Sequence, residues 1–223
     1  GFLLSDYPED LYANGEFLWF DKDGSVTGRK IVEDNKKQEY FFNKNKLVFE
    51  TVRINDSIIS CKILAENIED IPLDLSYLIA NTYYTIGEHH VSATYYKQIL
   101  IILQKQDVKN SEQYIFVLEQ LMVIYSKYVV DWDIMYSYAE QYYEICKELY
   151  GEIHVRSAEA LKLKYSLTGI LGGSDKQEEN VLKELLLIYE KLYGRYHEKY
   201  VRTSFLLDKI YLSHAKQPLS SIA

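Results

Sequence analysis

The sequence predicts a mainly α fold, α+β overall, in which about seven helices arranged as antiparallel hairpins follow a small antiparallel β-meander. Three observations predict it. Short β-like runs split by Asp, Asn and Gly clusters fill the chain from Phe17 to Leu64. From Pro72 to about His214 the apolar period becomes helical. Within that stretch an aliphatic residue followed four positions later by tyrosine recurs at Ile79/Tyr83, Leu121/Tyr125, Leu161/Tyr165 and Leu207/Tyr211, with tyrosine spacings of 42, 40 and 46. An offset of four puts both side chains on one helix face, and a period of about 40 residues is the mark of a repeat architecture.

Residues 1–14, with Pro8 and the turn-prone LYANGE, read as a lead-in segment. The segment 15–70 is the meander, of about five strands. FLWF is broken by DKDGS, SVTGRKIVE by DNKK, QEYFF by NKN and KLVFETVRI by ND, and SIISCKIL closes the set. Asp, Asn and Gly tolerate the positive φ that tight hairpins need. Alternation in KLVFETVRI puts Leu47, Phe49, Thr51 and Arg53 on one face and Val48, Glu50, Val52 and Ile54 on the other, so either could face a core. A sheet of this size cannot bury both faces alone, and packing against the first helices is expected.

Pro72 marks the change of texture, because proline suits a first helical turn while the residue before it avoids helical geometry. Segment 71–215 is the helical domain and 216–223 a C-terminal tail. Helices are predicted over 73–86, 89–105, 111–128, 132–150, 155–168, 176–193 and 198–214, with Gly87, Gly151, Gly194 and the Gly169–Gly173 stretch in the gaps and Asp131 and Ser174 or Asp175 as N-caps.

A net charge of −8 without any basic stripe argues against a nucleic-acid partner. No apolar run approaches the roughly 18 residues of a membrane span. The start, GFLLSDYPED, lacks the basic region of a signal peptide, while Gly1 in place of methionine leaves the compartment open. Cys61 and Cys146 sit in segments of different character and read as free thiols.

No constellation of catalytic, cofactor-binding or metal-ligating residues is found. DKDGS begins like a calcium loop, but Val26 and Val32 stand where glycine and glutamate are required, so a hairpin turn is expected. His154 and His197 recur in LYGEIH and LYGRYH, 43 residues apart, without the spacing of a zinc site; each is expected to stabilise its turn by a hydrogen bond. Of 22 tyrosines, 19 lie between Tyr77 and Tyr211. Tyr83, Tyr96, Tyr125, Tyr143, Tyr165 and Tyr211 are expected in the core. Neighbours on a helix point about 100° apart, so Tyr84 must look elsewhere than Tyr83.

The segment YLIANTYYTIGEHHVSATYYKQIL resembles a tetratricopeptide repeat, with Ile79 and Ala80, Tyr83, Gly87, Ser92 and Tyr96 at the family's marked positions. The G-x-x-H junctions at Gly151 and Gly194 are similar to those of the long variants of kinesin-light-chain type. The resemblance covers about residues 73–214 and implies a right-handed superhelix of hairpins whose concave face is formed by the first helix of each unit. It nominates Tyr77, Asn81 and Tyr84, then Glu119, Val123 and Lys127, then Arg156, Glu159 and Leu163, then Arg202, Phe205 and Lys209 as partner-binding residues. It further implies a non-catalytic scaffold that binds a protein or peptide. Two other readings stay open: a ligand- or peptide-sensing regulatory domain of a larger protein, and an assembly element that pairs copies into a homodimer.

Overall fold

The computed structural model describes residues 15–65 and 71–215; the predicted lead-in and tail lie outside them. Five strands run in sequence order as one antiparallel sheet: β1 (Gly15–Phe20), β2 (Val26–Glu33), β3 (Lys36–Asn43), β4 (Lys46–Ile54) and β5 (Ser57–Ile63). Asn55 and Asp56, at φ 48° and 64°, turn β4 into β5, and Lys44 and Asn45, at 48° and 62°, turn β3 into β4. Two successive positive φ values match the twist of paired strands, which is why asparagine and aspartate are used here. The DKDGS turn is closed by Asp23, whose carboxylate accepts from the Ser25 amide at 2.9 Å.

Seven helices follow among the described residues: α1 (Leu73–Thr85), α2 (His89–Lys105), α3 (Glu112–Ile124), α4 (Trp132–Tyr150), α5 (Val155–Ile170), α6 (Asp175–Tyr193) and α7 (Glu198–Ala215). The side chain of Asp131 caps α4, and Ser174 with Gln177 forms a capping box on α6. These side chains satisfy amides that a helix start leaves without partners. Among the described residues, no helix is long and apolar enough to cross a membrane.

The chain divides into two compact units, one within Gly1–Gln106 and the other within Asp107–Ala223. The division between the two units falls after the first helical hairpin. In the first unit one row of residues crosses the whole sheet, from Trp19 to Gly28, Phe41, Phe49 and Ile63. Phe49 is fully buried, stacks on Phe41 at 5.8 Å and meets Tyr83 of α1 at 6.3 Å. The face bearing Phe49 and Thr51 is thus the one that α1 covers. Against α1 lies α2: Tyr83 stacks on Tyr95 at 6.4 Å, and the buried Ser92 donates to the Ala80 carbonyl at 2.8 Å.

In the second unit the helices form two layers. Arg156 of α5 bonds Glu112 of α3 at 2.8 Å, and Lys199 of α7 lies 3.9 Å from Glu159 of α5, so α3, α5 and α7 lie side by side. In the other layer, the Tyr143 hydroxyl of α4 donates to Glu184 of α6. Leu121 and Leu161 are buried at the seam between the layers, Tyr125 meets Tyr138 at 5.9 Å, and Tyr165 packs with Leu182, Leu207 and Ile210. Tyr211 departs from the expected core position. It is 41% exposed because no eighth helix covers it among the described residues, and its hydroxyl donates to Glu179 at 3.2 Å.

The repeated LYGxxH segment is a helix junction built the same way twice. Gly151 and Gly194 end their helices at φ 89° and 82°, which glycine adopts without a Cβ penalty. His154 then stacks on Tyr150 at 4.9 Å and accepts the Arg156 amide at Nδ1, 3.2 Å away. His197 does the same with Tyr193 at 4.4 Å and the Lys199 amide at 3.2 Å. Both histidines cap the following helix, as the sequence led us to expect of a turn-stabilising bond.

Candidate functional site

A pocket of about 310 Å³ between α3, α4 and α5 is lined by Glu119, Met122, Val123, Ser126, Met135, Tyr142 and Leu163. Glu119, Val123 and Leu163 were nominated from the repeat pattern, and the structure brings these three together. Helix α3 supplies Glu119, Met122 and Val123 one turn apart, the geometry of i, i+3 and i+4 neighbours. Leu163 comes from α5. Met135 and Tyr142 come from α4, which closes the pocket from the second layer.

Glu119 and Tyr142 meet at one corner, while the Ser126 hydroxyl donates to the Val123 carbonyl at 3.1 Å. The Tyr142 hydroxyl donates to Oε1 of Glu119 at 3.0 Å. Burial holds the Tyr142 phenol above its ordinary range, so at neutral pH it is a fixed donor, and burial pushes the neighbouring Cys146 thiol up to about 11. A thiol at that value is protonated and a poor nucleophile. Of the three cations on α5, Arg156 is engaged by Glu112 at 2.8 Å and Lys164 by Glu140 at 2.9 Å.

Beside this pocket α3 departs from regular geometry. A π turn spans Tyr125–Val129 and ends in Val130 at φ 50°, ψ 74°, a left-handed conformation that a β-branched residue adopts only under constraint. The Asp131 amide closes the turn on the Tyr125 carbonyl at 3.2 Å. Such strained turns concentrate near sites of function.

The other nominated residues are placed as follows. Lys127 lies exposed in the π turn. Arg156 is exposed and held by Glu112 and Tyr150, and Glu159 is exposed beside Lys199. On α7, Arg202 pairs with Glu198 at 2.8 Å, while the Lys209 ammonium sits 5.0 Å from the centroid of Phe205, which is 61% exposed. None of these five exposed side chains of α5 and α7 lines the pocket.

In the first unit Tyr77 and Tyr84 are half-buried, Tyr84 meeting His89 edge-on at 5.3 Å. Asn81 accepts the Tyr96 hydroxyl at 2.6 Å. Asn81 also lines a separate, more polar cavity of about 500 Å³ with Arg53, Asp56, Ser57, Ile58, Leu78, Thr82 and Thr85, between the β4–β5 hairpin and α1.

Met135 and Tyr142, on α4, escape a reading that takes only first-helix positions, and Met122 lies on α3 between the nominated Glu119 and Val123. The adjacent tyrosines Tyr142 and Tyr143 carried the signal. Two neighbours cannot share one seam, and here Tyr143 reaches α6 while Tyr142 reaches α3.

No family model matches the chain, and no curated protein matches it. Among solved structures, the crystal structure of BtubC (BKLC) from P. vanneervenii is similar to this chain at 16% sequence identity and a TM-score of 0.48, over 69% of this chain. The match spans 60% of that protein's chain. The functional reading rests on the side chains described above.

Proposed function

We infer that the chain is a non-catalytic module that binds a peptide or protein segment on the face made by α3, α5 and α7, with the pocket around Met122 and Met135 as its deepest point. The observation that carries this reading is the pocket itself: it is largely apolar, with a polar corner formed by Glu119 and Tyr142. Small concave apolar sites with a few placed polar groups are what recognition of a ligand side chain requires. Two flexible thioethers in the wall suit adaptable contacts. Exposed ion pairs run from Glu112 to Arg156 and from Glu159 to Lys199 along the same layer and add little to its stability.

Glu119, Val123 and Leu163, three of the residues implied by the tetratricopeptide resemblance, line this pocket, which supports the reading. Selection of peptides from a random display library on the intact chain tests the reading. Enriched peptides are expected to bind the parent protein and to lose at least about tenfold in affinity on Val123→Asp or Leu163→Asp, since a buried charge without a partner is costly. Peptides that bind both variants as well as the parent would refute the assignment of this face.

A further inference from the structure

The chain contains two methionines, and both line the same pocket. Met122 and Met135 face Val123 and Leu163, making walls without a charge, and the only carboxylate in the lining is Glu119. One of its oxygens, Oε1, is taken by the Tyr142 hydroxyl at 3.0 Å. Arg156 and Lys164 are held by Glu112 and Glu140, so neither is committed to this corner.

An aliphatic wall ending at a carboxylate is complementary to a long aliphatic stem ending in a cation. Lysine and arginine both have that form, and the corner discriminates between them. A guanidinium binds best in a fork to two carboxylate oxygens, whereas an ammonium is a compact point charge that one oxygen satisfies. With one lone pair of Oε1 already accepting from Tyr142, a fork to both oxygens is hindered, and the corner suits an ammonium better than a guanidinium. We propose that the pocket is an anchor site for a lysine side chain of a bound peptide, its stem lying along Met122, Val123, Met135 and Leu163 and its ammonium meeting Glu119. This rests on the reading of the α3–α5–α7 face as a peptide-binding surface and gives that surface its specificity.

The two methionines make the test direct, because methyl-13C-methionine labelling of the intact chain reports on this pocket alone. Met122→Leu and Met135→Leu assign the two methyl signals. The probes are acetylated and amidated pentapeptides, alanine except for a central lysine, arginine, norleucine or glutamate. The lysine probe is expected to shift both signals and to bind about fivefold more tightly than the norleucine probe, the scale of a partly exposed charge pair. Added salt should shrink that preference. Glu119→Gln should abolish the preference for lysine over norleucine, and the methyl spectrum of the variant reports whether it remains folded. Tyr142→Phe removes the hydrogen bond to Oε1 and should raise affinity for the arginine probe.

Equal binding of lysine and norleucine, or binding of the glutamate probe, would overturn the proposal. So would two methyl signals that stay still with every probe. Library-selected peptides that bind the face yet leave both methyls unmoved would sink the anchor and spare the proposed function. A responsive pocket on a chain that enriches no library peptide would do the reverse.

Discussion

His197 lies stacked on Tyr193 with ring centroids 4.4 Å apart, and from that position its Nδ1 accepts the amide of Lys199 at 3.2 Å. The contact joins the end of α6 to the start of α7 across the four residues from Gly194 to His197. His154 and Tyr150 repeat it one unit earlier. An acceptor nitrogen with a ring already held in place is a helix cap that costs little side-chain entropy to form.

Removing one cap should therefore cost about 1 kcal/mol, the usual worth of an N-cap side chain. His154→Ala is expected to lower stability by that amount in chemical denaturation, and His154→Asn, which restores an acceptor, to recover part of it. A loss as large for the asparagine variant as for the alanine one would mean that the stacking, and not the cap, carries the contribution.

The seam residues separate by burial. Leu161 is 1% exposed and Tyr211 41%. Leu161→Ala should cost about 2–5 kcal/mol, the range for emptying a packed leucine site, and Tyr211→Ala no more than about 0.5 kcal/mol. Similar losses at both sites would show that α7 is covered as fully as α5.

In the sheet, a Cβ built on Gly28 would stand 2.7 Å from Cε3 of Trp19, so the indole ring lies directly over the glycine. Gly28→Val should displace the ring and cost about 1–3 kcal/mol, as overpacking does. In a Trp132→Phe background the emission of Trp19 should shift to the red; unchanged emission would place the ring elsewhere.

Much of this was legible because it is local chemistry. Asn55 and Asp56 announce a tight hairpin, Gly151 and Gly194 announce helix ends, and Ser174 with Gln177 announces a helix start. Each acts through its own backbone, and neighbouring sequence suffices to read it. Tyr211 was misplaced because periodicity tells which face a residue occupies and not whether another helix covers that face. For the same reason alternation left β4 ambiguous until Tyr83 of α1 was seen against Phe49. The candidate site divides the same way. Glu119, Val123 and Leu163 follow from the repeat, while Met135 and Tyr142 reach the pocket from a helix that the repeat rule passes over.

Buried tyrosines should shape the response to alkali. Burial pushes the Tyr96 phenol from 10.0 up to about 12, and it pushes Tyr77 and Tyr138 in the same direction. A group whose folded pKa is raised contributes stability in full below its unfolded pKa and loses it as pH climbs through the folded value. Stability should accordingly hold to about pH 10 and fall steeply toward about pH 12, with tyrosinate absorbance rising in step with unfolding. Full ionisation of all tyrosines with the helical signal intact would contradict the packing described for them.

The central claim is that the face of α3, α5 and α7 receives a peptide. Hydrogen exchange of the intact chain with and without a library-selected peptide tests it most directly. The account predicts slowed exchange in α3 through the π turn at Tyr125–Val129 and around Leu163 in the middle of α5, with α6 unchanged. Protection confined to α6, or to the sheet of the first unit, would contradict it.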